Sequence, residues 1–128
     1  MSVAIAGKIE ELGRGLVADA AEDYLDLSFV AHGIREAFEV SDNEEVLFYT
    51  VAVLYRLLDE ELLRAGTPTP AGGFEVWEEG PRGTVERILS GWRFLGRAPE
   101  LGELVWFDAT EKGAAYAEDL LAASEPAT

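Results

Sequence analysis

Apolar residues recur along this chain at steps of three and four, broken twice by short alternating stretches. Ile5, Ile9, Leu12, Leu16, Ala20, Tyr24 and Leu27 fall on one face of a helix. Gly13 and Gly15 weaken its middle and leave room for a kink or a break there. Ser28 is placed to cap a shorter second helix carrying Val30, Ile34, Ala37 and Phe38. Ser41-Asp42-Asn43-Glu44 reads as a capping box, and it precedes the strongest helix, over 42–65. Val46, Leu47, Thr50, Val53, Leu54, Leu57, Leu58 and Leu62 make its apolar stripe. Phe48, Val51 and Tyr55 lie off that stripe, which predicts burial on more than one side. Gly66 is the expected C-cap.

Beyond the turn at 67–73 the period changes. Phe74-Glu75-Val76-Trp77-Glu78 alternates like a half-buried strand. Thr84 is placed to cap a helix whose core face is Val85, Ile88, Leu89, Trp92 and Leu95, closed by Gly96. A second strand is expected from Leu104 to Ala109, with Trp106 and Phe107 on opposite faces. Thr110 then caps a last helix running to about Ala123. These elements predict one α+β domain over 1–123, mostly helical, with a frayed tail at 124–128. About five helices pack on a small two-stranded antiparallel sheet, which needs them because so small a sheet does not stand alone.

Charge changes what such a domain is expected to do. The 128 residues carry 25 acidic and 10 basic side chains, a net charge of −15. Nucleic-acid affinity comes largely from Lys and Arg displacing counterions, so nucleic-acid binding is disfavoured. The same field draws in basic proteins. There is no cysteine to form a disulfide or ligate a metal. No apolar run approaches the ~20 residues that span a bilayer, and the first residues lack a signal-peptide pattern. A cytoplasmic protein with no membrane association is expected.

Candidate chemistry is sparse. The single histidine, His32, has Glu36 four residues on, a spacing that suits a surface contact better than a metal site. No nucleophile elbow, dinucleotide fingerprint or phosphate-binding loop occurs. We therefore expect no catalytic residues, no cofactor and no metal. Carboxylates cluster at Asp42–Glu45, at Asp59, Glu60 and Glu61, and at Glu78 and Glu79. Beside the last pair stands Trp77, an aromatic of the kind that anchors protein interfaces. These six residues, Trp77, Glu78, Glu79, Asp59, Glu60 and Glu61, are the candidate partner-binding set. Arg82, Arg87, Arg93 and Arg97 are four of the ten basic residues, gathered within sixteen positions. They are the one patch able to meet a phosphate. The apolar excess of the 42–65 helix fits either a homodimer or a central, buried helix.

Two resemblances bear on function. Val105-Trp106-Phe107-Asp108-Ala109-Thr110-Glu111-Lys112-Gly113 resembles the strand, L-T-x-x-G turn and helix of winged-helix regulators, with Ala109 where leucine is usual. The resemblance implies a winged-helix-like architecture. The basic recognition helix and wing of those regulators are missing, and Glu75, Glu78 and Glu79 flank the wing-like strand. Over residues 44–110, Leu57-Leu58, Leu62-Leu63, Gly66, Gly73-Phe74 and Val85-Glu86-Arg87-Ile88 form a pattern similar to small acidic bacterial immunity proteins. That resemblance implies a non-enzymatic protein that neutralises a basic toxin by binding it. An immunity or inhibitor protein is the leading expectation, and a winged-helix-like transcriptional regulator or co-regulator the alternative.

Overall fold

The computed structural model describes residues 3–124, and over them the helical periods of the sequence become five helices. They are α1 (Val3–Glu22), α2 (Leu27–Phe38), α3 (Asn43–Asp59), α4 (Pro81–Leu95) and α5 (Glu111–Ser124). The strands are β1 (Leu25–Asp26), β2 (Leu63–Pro68), β3 (Phe74–Val76) and β4 (Trp106–Ala109). The α+β, mostly helical reading holds for these residues. Apart from Ser124, the expected tail lies outside the described residues.

Two helices, α2 and α3, start on aspartates rather than on the nearby serines. Asp26 caps α2, accepting from the Ser28 amide at 3.1 Å and from its hydroxyl. Asp42 caps α3, accepting from the Glu45 amide at 3.1 Å. A carboxylate also complements the positive end of the helix dipole, which a serine hydroxyl does not. Thr84 lies inside α4 instead of at its start; Gly80 is the N-cap and Pro81 opens the helix. α1 runs unbroken through both glycines. Gly13 is buried, and a Cβ there would stand 3.3 Å from Leu57 Cδ2, so its bare backbone lets α1 close onto α3.

The sheet has four strands, not two. Their order is β1-β4-β2-β3, and every neighbouring pair is antiparallel. Two strands were hidden in the sequence. β1 is only two residues long, too short for any period. β2 lies where the third helix was expected to continue, because Leu58 and Leu62 keep helical spacing and Gly66 reads as a C-cap. The chain instead leaves α3 at Asp59 and reverses at Glu61, whose φ is 59°. From there Leu63 and Ala65 point inward while Arg64 is exposed. Gly66 is thus no helix cap. It sits opposite Val76, where a Cβ would fall 2.1 Å from the Glu75 carbonyl oxygen, so only glycine fits.

One core joins the layers. α3 packs against α1, α2, α4 and β2, so most of its wide apolar stripe is buried within the chain, while Phe48 and Tyr55 remain exposed. Trp92 and Phe107 are the largest fully buried side chains. Trp92 also donates its indole N–H to Asn43 Oδ1 at 2.8 Å, fixing α4 on the start of α3. Leu25, Ala65 and Phe107 share the core face of the sheet, and Trp106 lies on the other.

Candidate functional site

The six residues of the partner-binding set fall at two places, the loop after β3 and the end of α3 with the turn that follows it. Trp77 follows β3 and its backbone N–H donates to the Ala65 carbonyl at 2.8 Å. Its ring is half-buried and covered by the Arg87 guanidinium, 3.6 Å from the ring centre. Arg87 Nη1 donates to Glu79 Oε2 at 2.9 Å, and this bond draws the Glu79 carboxyl below its usual range. Asp59 ends α3, and Glu60 and Glu61 form the turn from it into β2. Glu60 pairs with Arg56 at 3.5 Å and its carbonyl accepts from Lys112 Nζ at 2.8 Å. The Glu61 carbonyl accepts from the Thr110 hydroxyl at 2.5 Å. Glu78 and Asp59 are exposed. Trp77, Glu79 and Glu60 therefore already have partners inside the chain.

The arginine patch is likewise answered from within. Arg82 pairs with Glu86 at 3.6 Å, Arg87 with Glu79 at 2.9 Å, Arg93 with Glu44 at 3.2 Å and Arg97 with Glu103 at 2.7 Å. Arg93 and Arg97 hold their protons more tightly than usual because of the hydrogen bonds to Glu44 and Glu103. The Glu103 carboxyl is pulled down to about 2, first by Arg97 and then by the Glu100 amide, which donates at 2.7 Å. Each guanidinium thus has a carboxylate competing with any phosphate.

The segment resembling winged-helix regulators has a local structural logic. Thr110 Oγ1 accepts from the Gly113 amide at 2.9 Å while its proton goes to the Glu61 carbonyl. A Cβ at Gly113 would lie 2.0 Å from the Leu62 carbonyl oxygen. Threonine ties the turn and glycine admits the Leu62 backbone just before β2, so both residues serve the joint between β4, β2 and α5.

What the sequence reading missed is a groove of about 630 Å³ between α1 and α2. Leu12, Leu16 and Ala37 line it with apolar surface, and Gly15 and Gly33 lie in its walls. Phe29 stands in it with 53% of its surface exposed. Around these sit Lys8, Glu11, Asp19, His32 and Glu36, all exposed. His32 Nε2 is 3.1 Å from Glu36 Oε1, the surface pairing that the spacing suggested. Asp19 has its pKa raised, by loss of water first and by the nearby Glu22 second. No cation pairs with Asp19 among the described residues. The signal for this groove was present in the sequence: Lys8, Glu11, Leu12, Gly15 and Asp19 share one helix face, as do Phe29, His32, Gly33 and Glu36. What the sequence does not contain is that the two faces meet.

Among the described residues no group of three or more His, Asp or Glu side chains is placed to hold a metal ion, and no helix is long and apolar enough to cross a membrane. Comparisons with protein-family models, curated proteins and solved structures found no match.

Proposed function

We propose that this chain is a non-enzymatic, cytoplasmic protein that binds a basic protein partner, and that the partner is a bacterial toxin which it neutralises. The observation that carries this reading is the pairing of Arg82, Arg87, Arg93 and Arg97 with the chain's own carboxylates. These four basic side chains are spent internally, and the net charge of −15 is left to act on the surroundings. Such a field speeds the encounter with a basic surface and selects against acidic ones. Affinity capture with the tagged chain, followed by co-expression of the captured protein, tests the reading. The expected result is a basic protein whose toxicity the chain relieves. Recovery of nucleic acid alone, or of no basic protein, contradicts it.

The second reading, a winged-helix-like regulator or co-regulator, is favoured by the passage from β4 through Thr110 into α5. A gel shift at low salt that is lost on replacing the four arginines by alanine would promote it over the first.

A further inference from the structure

The groove between α1 and α2 has the anatomy of an interface rather than of a ligand pocket. A pocket for a small molecule encloses it and aims a few polar groups inward. A protein interface has an apolar centre within a wet, polar border. Here the polar groups line the rim rather than the floor: the His32 and Glu36 side chains are 63% and 72% exposed. The lining between them is chiefly apolar, with Leu16 buried and Phe29 more than half exposed.

Gly15 adds an independent observation. It lies in the interior of α1, where glycine weakens a helix relative to alanine. A Cβ built there meets nothing within 4 Å among the described residues, so no contact with them requires a glycine. Across the groove, a Cβ at Gly33 would make only an ordinary 3.6 Å contact with Leu12. The bare backbone at Gly15 keeps the wall low and leaves room for another backbone to come close.

Charge and length select the occupant. Glu11, Asp19 and Glu36 outnumber Lys8 on the border, and a second copy would bring its own charge of −15 against them. α2, with 12 residues, spans about 18 Å, which accommodates roughly three turns of a helix laid beside it. We propose that this groove docks an amphipathic helix of a basic protein, its apolar face on Leu12, Leu16 and Phe29 and its Lys and Arg side chains against Glu11, Asp19 and Glu36. The assignment rests on the reading of the chain as an acidic binder of a basic protein, and it moves the contact away from Trp77, Glu78 and Glu79.

The test uses the full chain and two labelled amphipathic peptides of about fourteen residues, one of Lys and Leu, the other of Glu and Leu. Fluorescence anisotropy gives the affinities, sedimentation the oligomeric state, and thermal melting the integrity of each variant. The Lys/Leu peptide is expected to bind at least about tenfold tighter than its acidic counterpart, and less tightly as salt rises. Gly15→Leu fills the groove with a good helix former, and Phe29→Ala removes an exposed anchor. Each is expected to weaken binding about tenfold or more while melting close to the unaltered chain. Unchanged affinity in both variants overturns the groove but leaves the basic-partner reading standing. Equal binding of the two peptides overturns that reading itself. No binding of the Lys/Leu peptide, or a dimer that Gly15→Leu dissolves, overturns the docked helix.

Discussion

The two ends of this molecule treat charge in opposite ways. From 81 to 103, four arginines accompany three acidic residues, and each arginine is held by a carboxylate. From 3 to 39, eight acidic residues accompany three basic ones, and among the described residues no cation pairs with the partly dehydrated Asp19. The α4 side is closed by its own ion pairs and by Arg87 lying over Trp77. The α1–α2 side leaves an apolar groove open within an acidic border. Composition alone gives one number for the whole chain. The fold decides where that number is felt, and it is felt where carboxylates outnumber the cations around them.

The sharpest break in this contrast comes from the core under the closed side. Trp92 is fully buried and donates to Asn43. Trp92→Ala should cost about 3–5 kcal/mol in denaturant unfolding, detaching α4 from α3 and scattering the arginine pairs. A loss well under 1 kcal/mol would mean that α4 is not anchored as described.

Asp26 joins the two sides and comes next in size. Only 4% exposed, it caps α2 and accepts from the Gly102 amide in the loop after α4 at 3.1 Å. Asp26→Ala should cost about 1–3 kcal/mol. Hydrogen exchange should rise at Gly102 and Ser28 together. A rise at only one of them would mean that the carboxylate does not couple the loop to the helix.

The open side responds with the other sign. Gly15→Ala should stabilise the chain by up to about 1 kcal/mol, since helix propensity improves and nothing is struck. A drop in melting temperature would show that Gly15 is packed after all.

The smallest effect is on pH dependence, and again the sides differ in sign. Glu103 is held down to about 2, so the stability it lends is present above its ordinary value of 4.5 and lost as pH falls through about 2. Arg97→Ala should therefore move acid unfolding to higher pH. Asp19 has a raised pKa, so its contribution is present below the ordinary carboxylate value and lost as pH rises through the raised one. Asp19→Asn should accordingly raise stability at neutral pH. Melting curves across pH check both, and a shift in the same direction for the two would contradict the contrast.

Much of the framework was legible in the sequence because it is local. The helical stripes, the strand–Thr110–helix passage and the inward row of α4, with Ile88 and Trp92 buried and Val85 and Leu89 partly so, follow from spacing alone. The misreadings concern choices that spacing leaves open. Leu58, Leu62 and Ala65 satisfy helix and turn-plus-strand equally, and it was pairing with β3 and β4 that chose the strand. Asp26 and Asp42 displaced the neighbouring serines as caps because the carboxylate answers both amide and dipole. The groove was invisible for a further reason. Its halves are two ordinary amphipathic faces, and only the tertiary meeting of α1 with α2 makes a site of them.

The most direct test is a backbone amide titration by NMR with the basic amphipathic peptide. The account predicts that shifts cluster on residues 8–19 and 29–37, and leave Trp77 to Glu79 and Arg82 to Arg97 in place. Shifts centred on Trp77 and the arginines, with the α1–α2 groove unmoved, would contradict it.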